Sequence, residues 1–133
     1  MSDEKVYIIP CSGIGKVFGS MCREAAYIVV DELAKDKAVL ECLPLIVKGK
    51  QEVIDALKAN KIITIDGCPL KCSCNDVTFA VREPDAVFMS TQMLRENPDI
   101  KIGKDIMILD ENAKILSRKL AEKIAVKVEE LVE

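Results

Sequence analysis

Short apolar runs rich in β-branched residues alternate along this chain with longer stretches whose apolar positions recur every third or fourth residue. Lys5 to Pro10 (KVYIIP) predicts a buried strand that runs into a helix start at Cys11-Ser12-Gly13, with Ser12 as N-cap. From Gly13 to about Lys35, Ile14, Val17, Phe18, Met21, Cys22, Ala25, Ile28, Val29 and Leu33 mark one apolar helical face. Ala38 to Leu43 (AVLECL) predicts a second strand stopped by Pro44, and Gln51 to Ala59 a second helix. Lys61 to Asp66 (KIITID) predicts a third strand, bounded by Gly67 and Pro69. A helix from Pro69 to about Arg82 and a strand at Asp85 to Met89 follow. Thr91 to Lys104 has no decisive pattern, Ile106 to Leu109 predicts one more short strand, and Glu111 to Val132 a long amphipathic helix.

Strands that alternate with helices require crossover connections. They predict an α/β fold of three layers, Rossmann-like, with a mainly parallel sheet of four to five strands and helices on both faces. With no linker, repeat or low-complexity tract, residues 1–133 are expected to form one domain. In such a sheet the strand carboxyl ends share one edge, where ligands normally bind.

Composition then narrows the chemistry. Half of the 133 residues are hydrophobic, a globular balance. The chain has six Cys and neither His nor Trp, which excludes Ser-His-Asp and Cys-His catalysis and histidine metal ligation. A metal site here must use thiolates and carboxylates. Nineteen Lys and Arg against 22 Asp and Glu, with five aromatic residues, argue against a nucleic-acid partner. No secretory pattern opens the chain and no apolar run approaches the roughly 18 residues of a membrane span. A cytoplasmic location is expected, where cysteines stay reduced and serve as ligands, reactive groups or core filler.

The cysteines divide by position. Cys11 follows the first strand, Cys42 ends the second and Cys68 follows the third, so a parallel sheet carries all three to one edge. If Pro69 opens a helix, Cys72 lies four residues from Cys68 and on the same side. Four convergent thiolates are the ligand set of a closed tetrahedral zinc site, and Lys16, Arg23 and Lys71 stand near to offset its charge. Cys74 falls with Leu70, Val77 and Val81 on a core stripe, and Cys22 lies on the apolar face of the first helix, so both read as packing. Burial is the competing explanation for all six, because free cysteine is among the most buried residue types.

Pro10-Cys11-Ser12-Gly13-Ile14-Gly15-Lys16, Arg23-Glu24-Ala25-Ala26-Tyr27, Cys42-Leu43-Pro44 and Asp66-Gly67-Cys68-Pro69-Leu70-Lys71-Cys72 together resemble the DGC-domain family of zinc-binding proteins, over roughly residues 5 to 83. By position, the resemblance implies metal ligation by Cys11, Cys42, Cys68 and Cys72, the same four that the strand ends select. It implies no reaction.

Other motifs fare less well. Cys11 to Lys16 lacks the first Gly and the terminal Ser or Thr of a P-loop, and Val17 stands where a cysteine phosphatase needs Arg. The glycines Gly13, Gly15 and Gly19 are better read as room for the helix to approach the sheet. The run Cys68 to Cys74 is C-x3-C-x-C, which matches no ferredoxin spacing, so an iron–sulfur cluster ranks below zinc as cofactor. The alternative function is a thiol redox or sulfur-transfer enzyme in which Cys11 attacks and Cys68 or Cys72 resolves. Asp66 reads as a turn residue at a strand end, with amide orientation or base chemistry as alternatives. The charges of the last helix read as a solvated face, and the pattern permits a homodimer through it.

Overall fold

The computed structural model describes residues 4–11 and 16–132. Four strands, β1 (Val6–Pro10), β2 (Ala38–Leu40), β3 (Lys61–Asp66) and β4 (Ala86–Met89), form one all-parallel sheet in the order β2-β1-β3-β4. Six α-helices accompany them among the described residues: α1 (Val17–Ile28), α2 (Leu43–Lys48), α3 (Gln51–Lys58), α4 (Cys72–Ala80), α5 (Ser90–Glu96) and α6 (Glu111–Val132). A π-helical turn, Val29–Leu33, prolongs α1. None is long and apolar enough to cross a membrane. The expected α/β layering is present.

Alternation along the strands sorts the two cores. Ile63 and Ile65 of β3 and Val6 and Ile8 of β1 join Met21 and Ala25 of α1, Met93 of α5 and Leu116, Leu120 and Ile124 of α6. On the other face Ile62 and Ile9 meet Leu43 and Ile46 of α2, Val53 and Leu57 of α3 and Val77 of α4. Side chains one residue apart on a strand point to opposite faces, so a sheet covered on both sides needs apolar residues on both, which β1 and β3 supply, with Thr64 and Asp66 as buried polar positions of β3.

The third strand and the last helix keep their expected bounds, Lys61–Asp66 and Glu111–Val132. Asp110 caps the latter by accepting the Ala113 N–H at 2.8 Å. Other boundaries move. The helix α1 is described from Val17; Ser12, Gly13, Ile14 and Gly15, with the expected N-cap, lie outside the described residues. The second strand ends at Leu40, and Pro44, expected to stop it, opens α2 instead, because proline is preorganised for the first helical turn. That helix ends at Gly49, whose φ of 84° suits glycine. A helix, α5, occupies part of the patternless region. The expected strand at Ile106 to Leu109 is not among the strands described. Asp105 accepts the Met107 and Ile108 N–H groups at 2.8 and 3.1 Å, so a side-chain turn takes donors that a ladder would need.

Ile124 is fully buried between α6 and the sheet. Ile124→Ala should lower stability to urea by about 2–5 kcal/mol, the range for emptying a core site. A loss below about 1 kcal/mol would contradict this packing of α6.

Candidate metal centre

The pairing of β1 with β3 builds the site. The Cys11 N–H donates to the Ile65 carbonyl at 2.8 Å, which carries the ladder one residue past β1 and holds a buried Cys11 beside the end of β3. Arg23 of α1 donates from Nη1 to the Cys11 carbonyl at 3.1 Å. Its guanidinium, whose charge was expected to offset that of the thiolates, thus anchors the backbone at Cys11.

After β3 the chain turns at Gly67. A Cβ there would lie 2.8 Å from the carbonyl carbon of Phe18, so only glycine lets this loop lie against the first turn of α1. Cys68 follows, half-buried, and its carbonyl accepts the Lys71 N–H at 3.1 Å. Lys71 has φ 49°, and α4 begins only at Cys72. Cys68 and Cys72 are therefore neighbours across a turn and not on one helix, contrary to the expected start at Pro69.

The late start has a cause. Asp66, 1% exposed, accepts the Ser73 N–H at Oδ1 (2.8 Å) and the Cys74 N–H at Oδ2 (3.0 Å), and so caps α4 from the strand end. Burial raises its carboxyl above the usual range, against the lowering by those two amides. Ser73, fully buried, donates from Oγ to the Ile9 carbonyl at 2.7 Å and ties α4 to β1. Sequence reasoning passed over Ser73 as a spacer between cysteines. Its signal was a small hydroxyl seven residues after an acidic strand end.

The other thiols differ in setting. Cys72 is exposed; desolvation, then negative charge on Cys11, Cys68, Asp66 and Asp76, pushes its thiol up. Cys42 is exposed at the N-cap of α2, two residues beyond β2, and its N–H is held by Glu41 Oε1 at 2.9 Å. Cys22 is fully buried, as expected of packing, and burial pushes its thiol up to about 12 despite hydrogen bonding by Ser90. Cys74 departs from the expected core stripe. It is half-buried and Leu70 is 73% exposed, because a helix that starts at Cys72 leaves Leu70 in the turn, while Val77 stays buried.

Two surface crevices meet at Cys11. One, about 370 Å³, also contacts Cys68, Phe18 and Leu70; the other, about 450 Å³, contacts Cys72, Leu43, Pro44 and Asp76. Cys11, Cys68 and Cys72 thus gather on one edge, with Cys42 one residue before the wall of the second crevice. Among the described residues, no three cysteine or carboxylate side chains stand close enough to hold a metal ion as placed.

The family model described as DGC domain matches residues 7–128. The chain belongs to the DGC domain family. The match runs well past residue 83, so β4, α5 and most of α6 are part of the DGC domain and not an appendage. No curated protein and no solved structure matched the chain.

Burial separates the thiols of this DGC domain by reactivity. Under reducing, chelating conditions, alkylation followed by mass spectrometry should label Cys42 and Cys72 first and Cys22 last, the latter at a rate matching global unfolding. Neutral Cys22 favours the fold below the ordinary thiol range, and that contribution fades as pH rises toward about 12. Labelling of Cys22 as fast as Cys42 would contradict its burial.

Proposed function

We propose that this DGC domain binds one zinc ion through Cys11, Cys42, Cys68 and Cys72 at the carboxyl edge of the sheet, in a structural or metal-handling role within the reducing cytoplasm. The supporting observation is that Cys11 shares one crevice with Cys68 and the other with Cys72, so three of the four thiols lie along one edge of the sheet. A bound thiophilic cation deprotonates the thiols it coordinates, and soft sulfur suits zinc. The donor chemistry fits the metal. The placement asks the turn at Cys68 to Cys72 and the start of α2 to close around it, since the thiols as they stand are spread along the edge. Zinc held by four protein thiolates has no vacant position, so this reading assigns it no hydrolytic role.

A second reading, thiol redox or sulfur transfer, is favoured by the crevice that Cys11 and Cys68 share. There the Cys11 thiolate would attack a disulfide or persulfide sulfur, forming a mixed disulfide or persulfide on Cys11 and releasing a thiolate or hydrosulfide; the thiolate of Cys68 or Cys72 would then attack the Cys11 sulfur, forming an intramolecular disulfide and releasing the transferred sulfur group as thiolate or hydrosulfide.

Protein purified anaerobically should carry about one zinc per chain by elemental analysis, and Cys68→Ser or Cys72→Ser should lower metal affinity by at least tenfold. Cys42→Ser should do the same. Folded, reduced protein without metal would overturn the proposal, and iron with inorganic sulfide would replace it by an iron–sulfur site.

A further inference from the structure

The helices α2 and α4 share the core on one face of the sheet and leave an open groove of about 450 Å³ between them. Helical spacing decides what stands on its walls. On α4 the buried positions are Ser73 and Val77, so Cys72, Asp76 and Phe79, at steps of four and three, form one outward stripe, and Cys72 and Asp76 of that stripe line the groove. On α2 the buried positions are Leu43 and Ile46, and Pro44, Val47 and Lys48 make the opposite wall. Phe79 is 95% exposed and Val47 62%. A single apolar side chain in water is ordinary, but here two flank one groove whose floor is the buried Leu43. An aromatic ring is also the kind of side chain that anchors a protein contact once it is covered.

Charge indicates what covers it. Lys48 stands on the α2 wall and Asp76 on the α4 wall. Among the described residues neither forms an ion pair. The last helix, where the sequence permits a dimer, instead spends Arg118, Lys123, Lys127 and Glu129 on ion pairs within the chain. A groove with one unpaired charge of each sign on opposite walls complements itself after half a turn. In a two-fold contact each residue meets the other's counterpart, so both ion pairs form together. A uniformly acidic or basic partner would satisfy one wall and oppose the other.

We propose that two copies of this chain associate through the α2–α4 groove about a two-fold axis. Phe79 of each copy enters the groove of the other, against Leu43, Pro44 and Val47, and Lys48 of each pairs with Asp76 of the other. The contact uses the Asp76–Phe79 end of the stripe and leaves the end at Cys11 and Cys72 open. It needs no metal and stands whether or not the thiols hold one.

Sedimentation equilibrium of the full chain, purified anaerobically, should show monomer and dimer exchanging between about 10 µM and 1 mM, the range of a small contact with few anchors. Phe79→Ser, at a position too exposed to disturb the fold, should weaken the dimer at least about tenfold, since each dimer loses two rings. Lys48→Glu and Asp76→Lys should each weaken self-association at least about fivefold, because each places like charges together twice. Mixed in equal amounts, those two variants should form a heterodimer within about threefold of the natural affinity, because both contacts then join opposite charges. That recovery is peculiar to a reciprocal contact. A chain still monomeric at about 1 mM, which would leave the groove to a different protein, a dimer indifferent to Phe79→Ser, or charge variants that do not recover on mixing would each overturn the proposal. Zinc measured on the same samples keeps the two readings apart: a metal-free dimer counts against the metal site alone.

Discussion

The strands β1 and β3 lie side by side and parallel, paired from Val6 against Lys61 to Pro10 against Ile65, and the Cys11 N–H extends that ladder to the Ile65 carbonyl. Parallel pairing puts both carboxyl ends at one edge, so the residues that follow them meet despite some fifty intervening positions. An antiparallel arrangement of the same strands would send Cys11 and Cys68 to opposite ends of the sheet. Ile8, Ile9, Ile62, Ile63 and Ile65 are fully buried, so this one pair of strands carries apolar side chains into the cores on both faces of the sheet.

On that frame the loop after β3 is held by polar contacts made out of water. Asp66 spends both carboxylate oxygens on the first turn of α4, and Ser73 bonds back to β1. A buried carboxylate is costly unless hydrogen-bonded, and here its partners are the unpaired N–H groups that a helix start leaves. One side chain thus satisfies two orphan donors and sets where α4 begins. Gly67 completes the arrangement from the other side, by letting Phe18 approach the backbone. The Asp-Gly-Cys run therefore divides its labour: the Asp caps a helix, the Gly admits a neighbour, and the Cys faces the crevice.

Much of this was legible along the chain because it is periodic. The apolar runs of β1 and β3, the long stripe of α6 and the burial of Cys22 on α1 follow from local pattern. The six-residue α2 was not legible, being too short for a period and opened by a proline that equally suits a strand end. The turn from Pro69 to Lys71 was misread as helix, since Leu70, Cys74 and Val77 happen to recur at helical spacing. The hold of Asp66 on the Ser73 and Cys74 amides, a contact from the strand end to the first turn of the helix, accounts for the shorter helix. Cys74 is half-buried for this reason.

By itself, then, the chain's pattern determines an α/β sheet with its strands buried on both faces, the absence of any imidazole chemistry, and the family to which residues 7–128 belong. These are properties of composition and of spacing between near neighbours, which the backbone's own periods convert into faces. The tertiary structure alone decides which thiols share a crevice and that α1 and α4 leave on opposite sides of the sheet. Those depend on strand order and on where each connection turns, and no local spacing encodes which strands become neighbours.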